Sequence, residues 1–122
     1  MKVMTHHWLG LAIIILLAAP VAVFAHAYLD HAQPRVGATI DGSPAEVKIW
    51  FTDEVDPAGS SIEVQDADGK QMDKKDLHRD AKDKKMLIIS LPKIPPGTYT
   101  VIWHAKCACG HLTQGDFEFV VK

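Results

Sequence analysis

The chain has 122 residues, of which 48% are apolar and 23% charged, with 8 Gly, 7 Pro and 2 Cys. This composition excludes intrinsic disorder, collagen and a small fold held together by many disulfides. Thirteen Lys and Arg against fifteen Asp and Glu give a net charge of -2, which leaves no positive excess to neutralise a phosphate backbone and argues against nucleic-acid binding.

The N-terminal segment has the pattern of a secretory signal peptide. Lys2 supplies a positive charge, residues 8–19 form an apolar run, a proline follows, and small residues occupy the positions that signal peptidase reads. The pattern predicts a signal peptide at residues 1–25 and one mature domain at residues 26–122. The alternative is an uncleaved membrane anchor. Residues 8–25 carry no charge, and this stretch reaches the lower limit for spanning a bilayer, about 17 residues.

Apolar residues of the mature chain recur with a period of two, which is typical of β-strands. The clearest alternation is in residues 46–51, whereas residues 86–89 form a continuous apolar run typical of a central strand. Further strands are predicted near residues 27–32, 38–40, 62–64, 98–106 and 117–121. About seven short strands with Pro and Gly turns predict an antiparallel β-sandwich or a small Greek-key barrel.

Residues 70–85 do not share the alternating pattern. Eleven of these sixteen residues are charged, with both signs mixed. Such a segment is typical of a solvated loop or a short surface helix.

The residue exposed by cleavage would be His26. An N-terminal histidine offers its α-amine and its Nδ1, which together close a chelate ring on one metal ion, and this donor set suits Cu(II) or Ni(II) in a tetragonal plane. The ordinary pKa of an α-amine is about 7.7 to 8.0, so a metal displaces its proton at neutral pH. The alternative is an accidental first residue on a frayed terminus.

Three carboxylates, those of Asp53, Glu54 and Asp56, follow the predicted strand at residues 46–51. One of them is a candidate oxygen ligand. The alternative is an acidic edge that keeps the strand end from pairing with other chains.

The densest group of ligand donors lies in residues 103–111 and includes Cys107, Cys109 and His111. In an extended backbone these three side chains share one face, whereas Gly110 indicates a turn. The spacing matches neither a thioredoxin-like Cys-x-x-Cys motif nor a tetrahedral zinc site. An oxidising compartment favours a disulfide, but alternate Cα atoms of a flat strand lie near the upper limit for one, about 6.8 Å. Two alternatives therefore remain for the cysteines: thiolate ligands of a metal ion, or a reducible disulfide.

The other aromatic and histidine side chains are interpreted as structural. Trp103 is in phase with an apolar row and is predicted in the core, whereas Trp50 falls on the opposite face of its strand, over a sheet edge or along the metal end. His31, His78 and His104 are expected at the surface or in the core rather than as ligands.

A series of short motifs runs along the mature chain: His26-Ala27, Pro34, Gly37, residues 47–53, residues 96–101, Trp103, Gly115 and residues 119–121. In this order and spacing, the motifs resemble those of the CopC-type periplasmic copper-binding proteins. The resemblance implies a seven-stranded Greek-key β-sandwich, of the immunoglobulin or cupredoxin-like kind, that binds Cu(II) at one end. It also implies four ligand positions, one of which, the strand-end acid, is present only in some members. Three of the four fall on His26, His111 and the strand-end acid Asp53; the fourth is the Asp of an Asp-x-His motif.

The chain departs from the family pattern at the Asp-x-His motif, where Cys109 stands in place of Asp. Replacing a carboxylate ligand by a thiolate shifts the preference of the site toward Cu(I), or gives a thiolate-bound Cu(II) that oxidises its own ligand. The methionine-rich loop of some relatives is absent, since the mature chain holds only Met72 and Met86. Cys107 and Cys109 are therefore candidates for that soft-ligand role.

Three functions follow as hypotheses. The leading one is a non-enzymatic periplasmic copper carrier or chaperone for copper resistance, with a CopD-type inner-membrane copper permease as the partner that the resemblance implies. The second is a small copper monooxygenase, because such enzymes also begin with a chelating histidine. The third is a metal-free exported adaptor in which the two cysteines form a bridge. No catalytic serine motif or spaced pair of carboxylates supports a hydrolase.

Overall fold

The computed structural model describes residues 26–122, so the predicted signal peptide lies outside the described residues. Within residues 26–122 the chain forms eight strands and no helix. The strands are β1 (Leu29–Gln33), β2 (Thr39–Ile40), β3 (Glu46–Phe51), β4 (Val55–Gln65), β5 (His78–Arg79), β6 (Met86–Ser90), β7 (Gly97–Cys107) and β8 (Leu112–Val121). In this part of the chain there is accordingly no helical segment with the length and hydropathy to cross a bilayer.

The strands form two four-stranded sheets with the orders β1-β3-β6-β5 and β2-β8-β7-β4. The predicted β-sandwich is confirmed, but eight strands are present among the described residues instead of seven. Strand β2 also pairs with β8 in parallel, with Thr39 opposite Val120, so the sandwich is not wholly antiparallel. A strand near residues 38–40 was predicted and coincides with β2, but its parallel pairing was not. Strand β5 was not predicted, because two residues are too short to show a period.

The core lies between the two sheets and follows from the period of two. In β3 and β7 every second side chain is buried. Trp103 belongs to this core and contacts Phe51 edge to face, with ring centroids 5.4 Å apart, which confirms its predicted place. Trp50 lies outside and stacks on His31 with centroids 4.3 Å apart, so it covers an edge strand and not the metal end.

The charged segment at residues 70–85 contains strand β5 and no helix. It is also less solvated than predicted, because Asp73 is buried. The carboxylate of Asp73 accepts hydrogen bonds from the amide of Val64 and from the side chain of Gln71. The bond from Val64 fastens the segment to strand β4, which a charge count alone does not reveal.

One end of the sandwich gathers the chain segments that carry the candidate ligands. Leu29 at the start of β1 pairs with Phe51 at the end of β3, and Val55 at the start of β4 pairs with Cys107 at the end of β7. The N-terminal residues, the β3–β4 turn and the β7–β8 turn therefore lie at the same end.

Candidate metal centre

The turn between β7 and β8 presents two of the predicted donors. The amide of Gly110 donates to the carbonyl of Cys107, and the amide of Cys107 donates to the carbonyl of His111. Gly110 has φ of +86°, a left-handed conformation that glycine adopts without steric cost. This is the geometry of a three-residue hairpin loop. The backbone is therefore turned and not extended, as Gly110 indicated.

The turn separates the two cysteines into different environments. Cys107 is 1% exposed and belongs to the core, whereas Cys109 is exposed at the tip of the hairpin. Their Cα atoms lie 5.1 Å apart and the two residues form a disulfide. The turn explains why a bridge across one residue fits, because it brings the Cα atoms within the usual range of about 4.4 to 6.8 Å.

A second contact fixes the position of this hairpin. The amide of Ala108 donates to the carbonyl of Glu54 at 3.2 Å, which joins the β7–β8 turn to the β3–β4 turn. The carboxylate of the neighbouring Asp53 accepts a hydrogen bond from the amide of Glu54 at 2.8 Å. The acidic segment therefore supports the loop that carries the donors.

The N-terminal segment is held by two threonine side chains, one directly after strand β3 and one on strand β8. The hydroxyl of Thr52 donates to the carbonyl of His26 at 3.1 Å and accepts from the amide of Tyr28 at 3.0 Å. The hydroxyl of Thr113 donates to the carbonyl of Ala27, which is 1% exposed. The backbone of His26 is consequently held by a hydrogen bond from the fold.

The imidazoles of His26 and His111 meet at this end of the sandwich. Their Nδ1 atoms lie 3.2 Å apart, and their ring centroids 4.8 Å apart. Together with the sulfur of Cys109 they form a cluster whose donor atoms all lie within 4.8 Å of one another. His26 is half-buried, while Cys109 and His111 are exposed, so an ion at this place would be reachable from solvent.

The nitrogen geometry fits a metal ion. Metal–imidazole bonds are about 2.0 to 2.1 Å long, as measured for zinc, so two nitrogens at a right angle around one ion lie about 2.9 Å apart. The observed 3.2 Å is close to that value. The Nδ1 of His26 is also the ring nitrogen that could close a chelate with an α-amine on the same residue.

The structure brings together three of the five predicted ligands and leaves two outside. Asp53 is half-buried and is not a member of the donor cluster found in residues 26–122. Cys107 is also outside this cluster, because its side chain faces the core and its sulfur is bonded to Cys109. In the disulfide form neither cysteine is a thiolate, so the two histidines are the donors that remain.

Three other histidines of residues 26–122 lie elsewhere. His31 contacts the carboxylate of Asp30, His78 contacts the carbonyl of Asp76, and His104 contacts the hydroxyl of Ser61. None of the three belongs to the donor cluster.

The sequence analysis missed the threonines that hold the N-terminal segment. Thr52 stands within residues 47–53, which carried the family resemblance, but its place after a predicted strand suggested no partner. Thr113 is two residues beyond His111, and nothing in the local sequence marks it as a contact of Ala27.

Comparison with known proteins connects this chain to a family and to copper-related relatives. A family model described as the CopC domain matches residues 29–122. The protein YobA of Escherichia coli strain K12 is 32% identical over 114 residues, covering 93% of this chain and 92% of YobA. The copper transport protein CutJ of Bacillus subtilis is 28% identical over 123 residues, covering 95% of this chain and 22% of CutJ.

A solved structure shares both the fold and part of the sequence. The crystal structure of CopC from Methylosinus trichosporium OB3b superposes with a TM-score of 0.75 at 31% identity. The match covers 80% of this chain and 94% of that protein.

Proposed function

Because this chain belongs to the CopC domain family, we propose that it is a periplasmic copper carrier that holds Cu(II) between His26 and His111. Proteins of this family are copper-binding resistance proteins and not enzymes. The α-amine of His26 adds a third nitrogen once the signal peptide has been removed. Thr52 and Thr113 support the site by fixing the backbone next to His26.

The observation that carries this proposal is the 3.2 Å separation between the Nδ1 atoms of His26 and His111. These residues are 85 positions apart in the chain, so their approach comes from the packing of the sandwich. A paired imidazole and an N-terminal chelate supply the nitrogen donors that suit tetragonal Cu(II). In the disulfide form the sulfur atoms do not compete as thiolates.

A carrier role is supported by the exposure of the site. Cys109 and His111 are exposed, and the neighbouring Tyr28 and Leu112 are large apolar side chains with exposed fractions of 54% and 70%. Exposed apolar side chains around a functional group are typical of a contact surface. Copper at this place is open to transfer to a protein that covers these residues.

The proposed acceptor is an inner-membrane copper permease of the CopD type. In support, a region similar to this chain occurs in CutJ, a longer protein whose name describes copper transport. A domain that is joined to a longer transport protein in one organism is a reasonable partner for such a protein in another.

The test uses the exported protein, with its first residue established by intact mass. In the oxidised form, Cu(II) is titrated into the wild type, His111→Ala and His104→Ala, and binding is followed by electron paramagnetic resonance. We expect the wild type and His104→Ala to bind one Cu(II) each with the same nitrogen hyperfine pattern. His111→Ala should lose one imidazole from the spectrum and bind more weakly by about tenfold or more, as for a lost ligand.

His104 is the matched control because it is exposed and lies on β7, near the site but outside the cluster. Equal spectra and affinities for wild type and His111→Ala would contradict the proposed site. An oxidised wild type that binds no Cu(II) in equilibrium dialysis would contradict the carrier and favour the metal-free adaptor.

A further inference from the structure

We propose that Cys107 and Cys109 form a two-electron thiol–disulfide couple that reduces Cu(II) bound at His26 and His111 to Cu(I). This inference rests on the proposed copper site and adds a chemical activity to it. It arises from the disulfide between Cys107 and Cys109, one sulfur of which belongs to the donor cluster of the two histidines.

The geometry places one sulfur beside the ion. The sulfur of Cys109 lies within 4.8 Å of the ligand nitrogens of both histidines. A bond of about 2.0 Å to nitrogen and one of about 2.3 Å to sulfur, as in zinc sites, span at most about 4.3 Å. Once the disulfide is reduced, rotation of the exposed Cys109 side chain closes the remaining gap. The thiolate then contacts the copper ion directly.

The second sulfur is already in position to complete the oxidation. The Cα atoms of Cys107 and Cys109 lie 5.1 Å apart, and the hairpin hydrogen bonds at Gly110 and His111 hold the turn that sets this distance. The disulfide in the structure is the oxidised product of the couple. Cys107 is buried, so it meets Cys109 more readily than it meets an external oxidant.

The reaction balances with two copper ions per chain. The Cys109 thiolate gives one electron to the bound Cu(II), the Cys107 sulfur bonds to the Cys109 sulfur, and the second electron goes to a second Cu(II). The products are two Cu(I) ions, one disulfide and two protons, one released from each thiol. The couple transfers two electrons, as every thiol–disulfide couple does.

Return to the dithiol needs an external dithiol reductant of the thioredoxin-like class. Because Cys109 is exposed and Cys107 is buried, the reductant's thiolate attacks the sulfur of Cys109 and releases the sulfur of Cys107. The second thiol of the reductant then displaces Cys109, and the reductant leaves as a disulfide.

The main experiment is done without oxygen on the exported protein, after reduction and removal of the reductant. Cu(II) is added in excess, and three quantities are followed: the Cu(II) paramagnetic signal, the Cu(I) captured by bathocuproine disulfonate after residual Cu(II) is chelated, and the free thiols. We expect two Cu(I) and the loss of both thiols per chain. The oxidised protein and the Cys107→Ser/Cys109→Ser variant should bind Cu(II) and form no Cu(I).

A site control separates this reaction from oxidation by copper in bulk solution. His111→Ala keeps both cysteines but loses one ligand. Its rate of Cu(I) formation should fall by about tenfold or more, because the ion is no longer held beside the thiolate. Equal rates for the wild type and His111→Ala would overturn the inference.

The outcomes distinguish this inference from the proposed function. If the reduced protein keeps both thiols and a stable Cu(II) signal, the reductive activity is wrong while the copper site stands. If the oxidised protein binds no Cu(II), the copper site itself is wrong and the inference falls with it.

A second measurement tests the direction of recycling. A thioredoxin-like protein whose second cysteine is replaced by serine should form a trapped mixed disulfide with the oxidised chain. Peptide mass mapping should find the adduct on Cys109. An adduct on Cys107 would contradict the proposed direction of attack.

Discussion

Thr52 holds the backbone of His26 through one hydrogen bond, from its hydroxyl to the carbonyl oxygen of His26 at 3.1 Å. The same hydroxyl accepts a bond from the amide of Tyr28 at 3.0 Å. The end of strand β3 thus positions a candidate ligand without supplying a donor atom to the metal. A residue that positions the candidate site, Thr52, is therefore different from the residues that offer donor atoms.

The first prediction is that Thr52→Val weakens copper binding while all ligands remain. A hydrogen bond contributes about 1 kcal/mol, so the dissociation constant for Cu(II) should rise about fivefold, measured by competition with a chelator of known affinity. The paramagnetic spectrum should keep its nitrogen pattern. Thr98→Val, an exposed substitution at the other end of β7, is the control and should leave the affinity unchanged. Unchanged affinity in Thr52→Val would show that His26 is held by other contacts.

The second prediction concerns the α-amine of His26. One glycine inserted between Ala25 and His26 removes the amine from the chelate ring, while the imidazole keeps its place. Copper at a thousandfold excess over the dissociation constant stabilises a fold by about 4 kcal/mol. The resulting rise in Tm should be clearly smaller in the extended protein, because it keeps both imidazoles but loses the amine; its first residue is checked by mass. A glycine added after Lys122 is the control. An equal rise in both proteins would exclude the amine as a ligand.

The third prediction is that Gly115→Ala destabilises the sandwich. A Cβ atom at this position would lie 2.6 Å from the ring of Trp103, the cross-strand partner of Gly115. Because Trp103 is in the core, the ring has little room to move, and overpacking of this kind costs about 1 to 3 kcal/mol. Urea unfolding should show this loss, whereas Gln114→Ala, an exposed neighbour on β8, should change stability by less than about 0.5 kcal/mol. Equal stability of the two variants would mean that the ring moves freely.

The fourth prediction concerns acid. Hydrogen bonds from the side chain and the backbone of Ser90 hold the pKa of Asp76 below its ordinary value of 3.8. The folded pKa is lower than the unfolded pKa, so the ionised carboxylate stabilises the fold above 3.8, and this contribution is lost as the pH falls through the folded pKa. Asp76→Asn should therefore be less stable than wild type at neutral pH.

The difference in the free energy of unfolding between wild type and Asp76→Asn should shrink as the pH falls below 3.8. Asp116→Asn, an exposed carboxylate on β8, is the control and should track the wild type. A difference that stays constant with pH would show that the substitution acts through packing instead of ionisation.

The local pattern of the sequence was sufficient for the strands that form the core. The alternation in residues 46–51 coincides with β3, and the apolar row in residues 98–106 lies within β7. It failed for β5, whose two residues carry no period, and for the parallel pairing of β2 with β8. It also failed for Asp73, which is bonded to Val64 in β4 and Gln71 in the following loop. The metal donors were recognised by residue type, but their assembly was not visible locally.

What the sequence by itself determined is therefore the fold class, the core rows and the residue types available for copper. The alternation of apolar and polar residues shows which face of a strand is buried, because each apolar side chain favours the core independently of the others. The tertiary structure alone decided that His26 meets His111, that Cys107 is buried while Cys109 is exposed, and that Asp53 does not join the cluster. These relationships depend on sheet register, on the packing of one sheet against the other and on the turn at Gly110. They involve residues that are far apart in the sequence or that a turn places in different environments, so a local pattern does not show them.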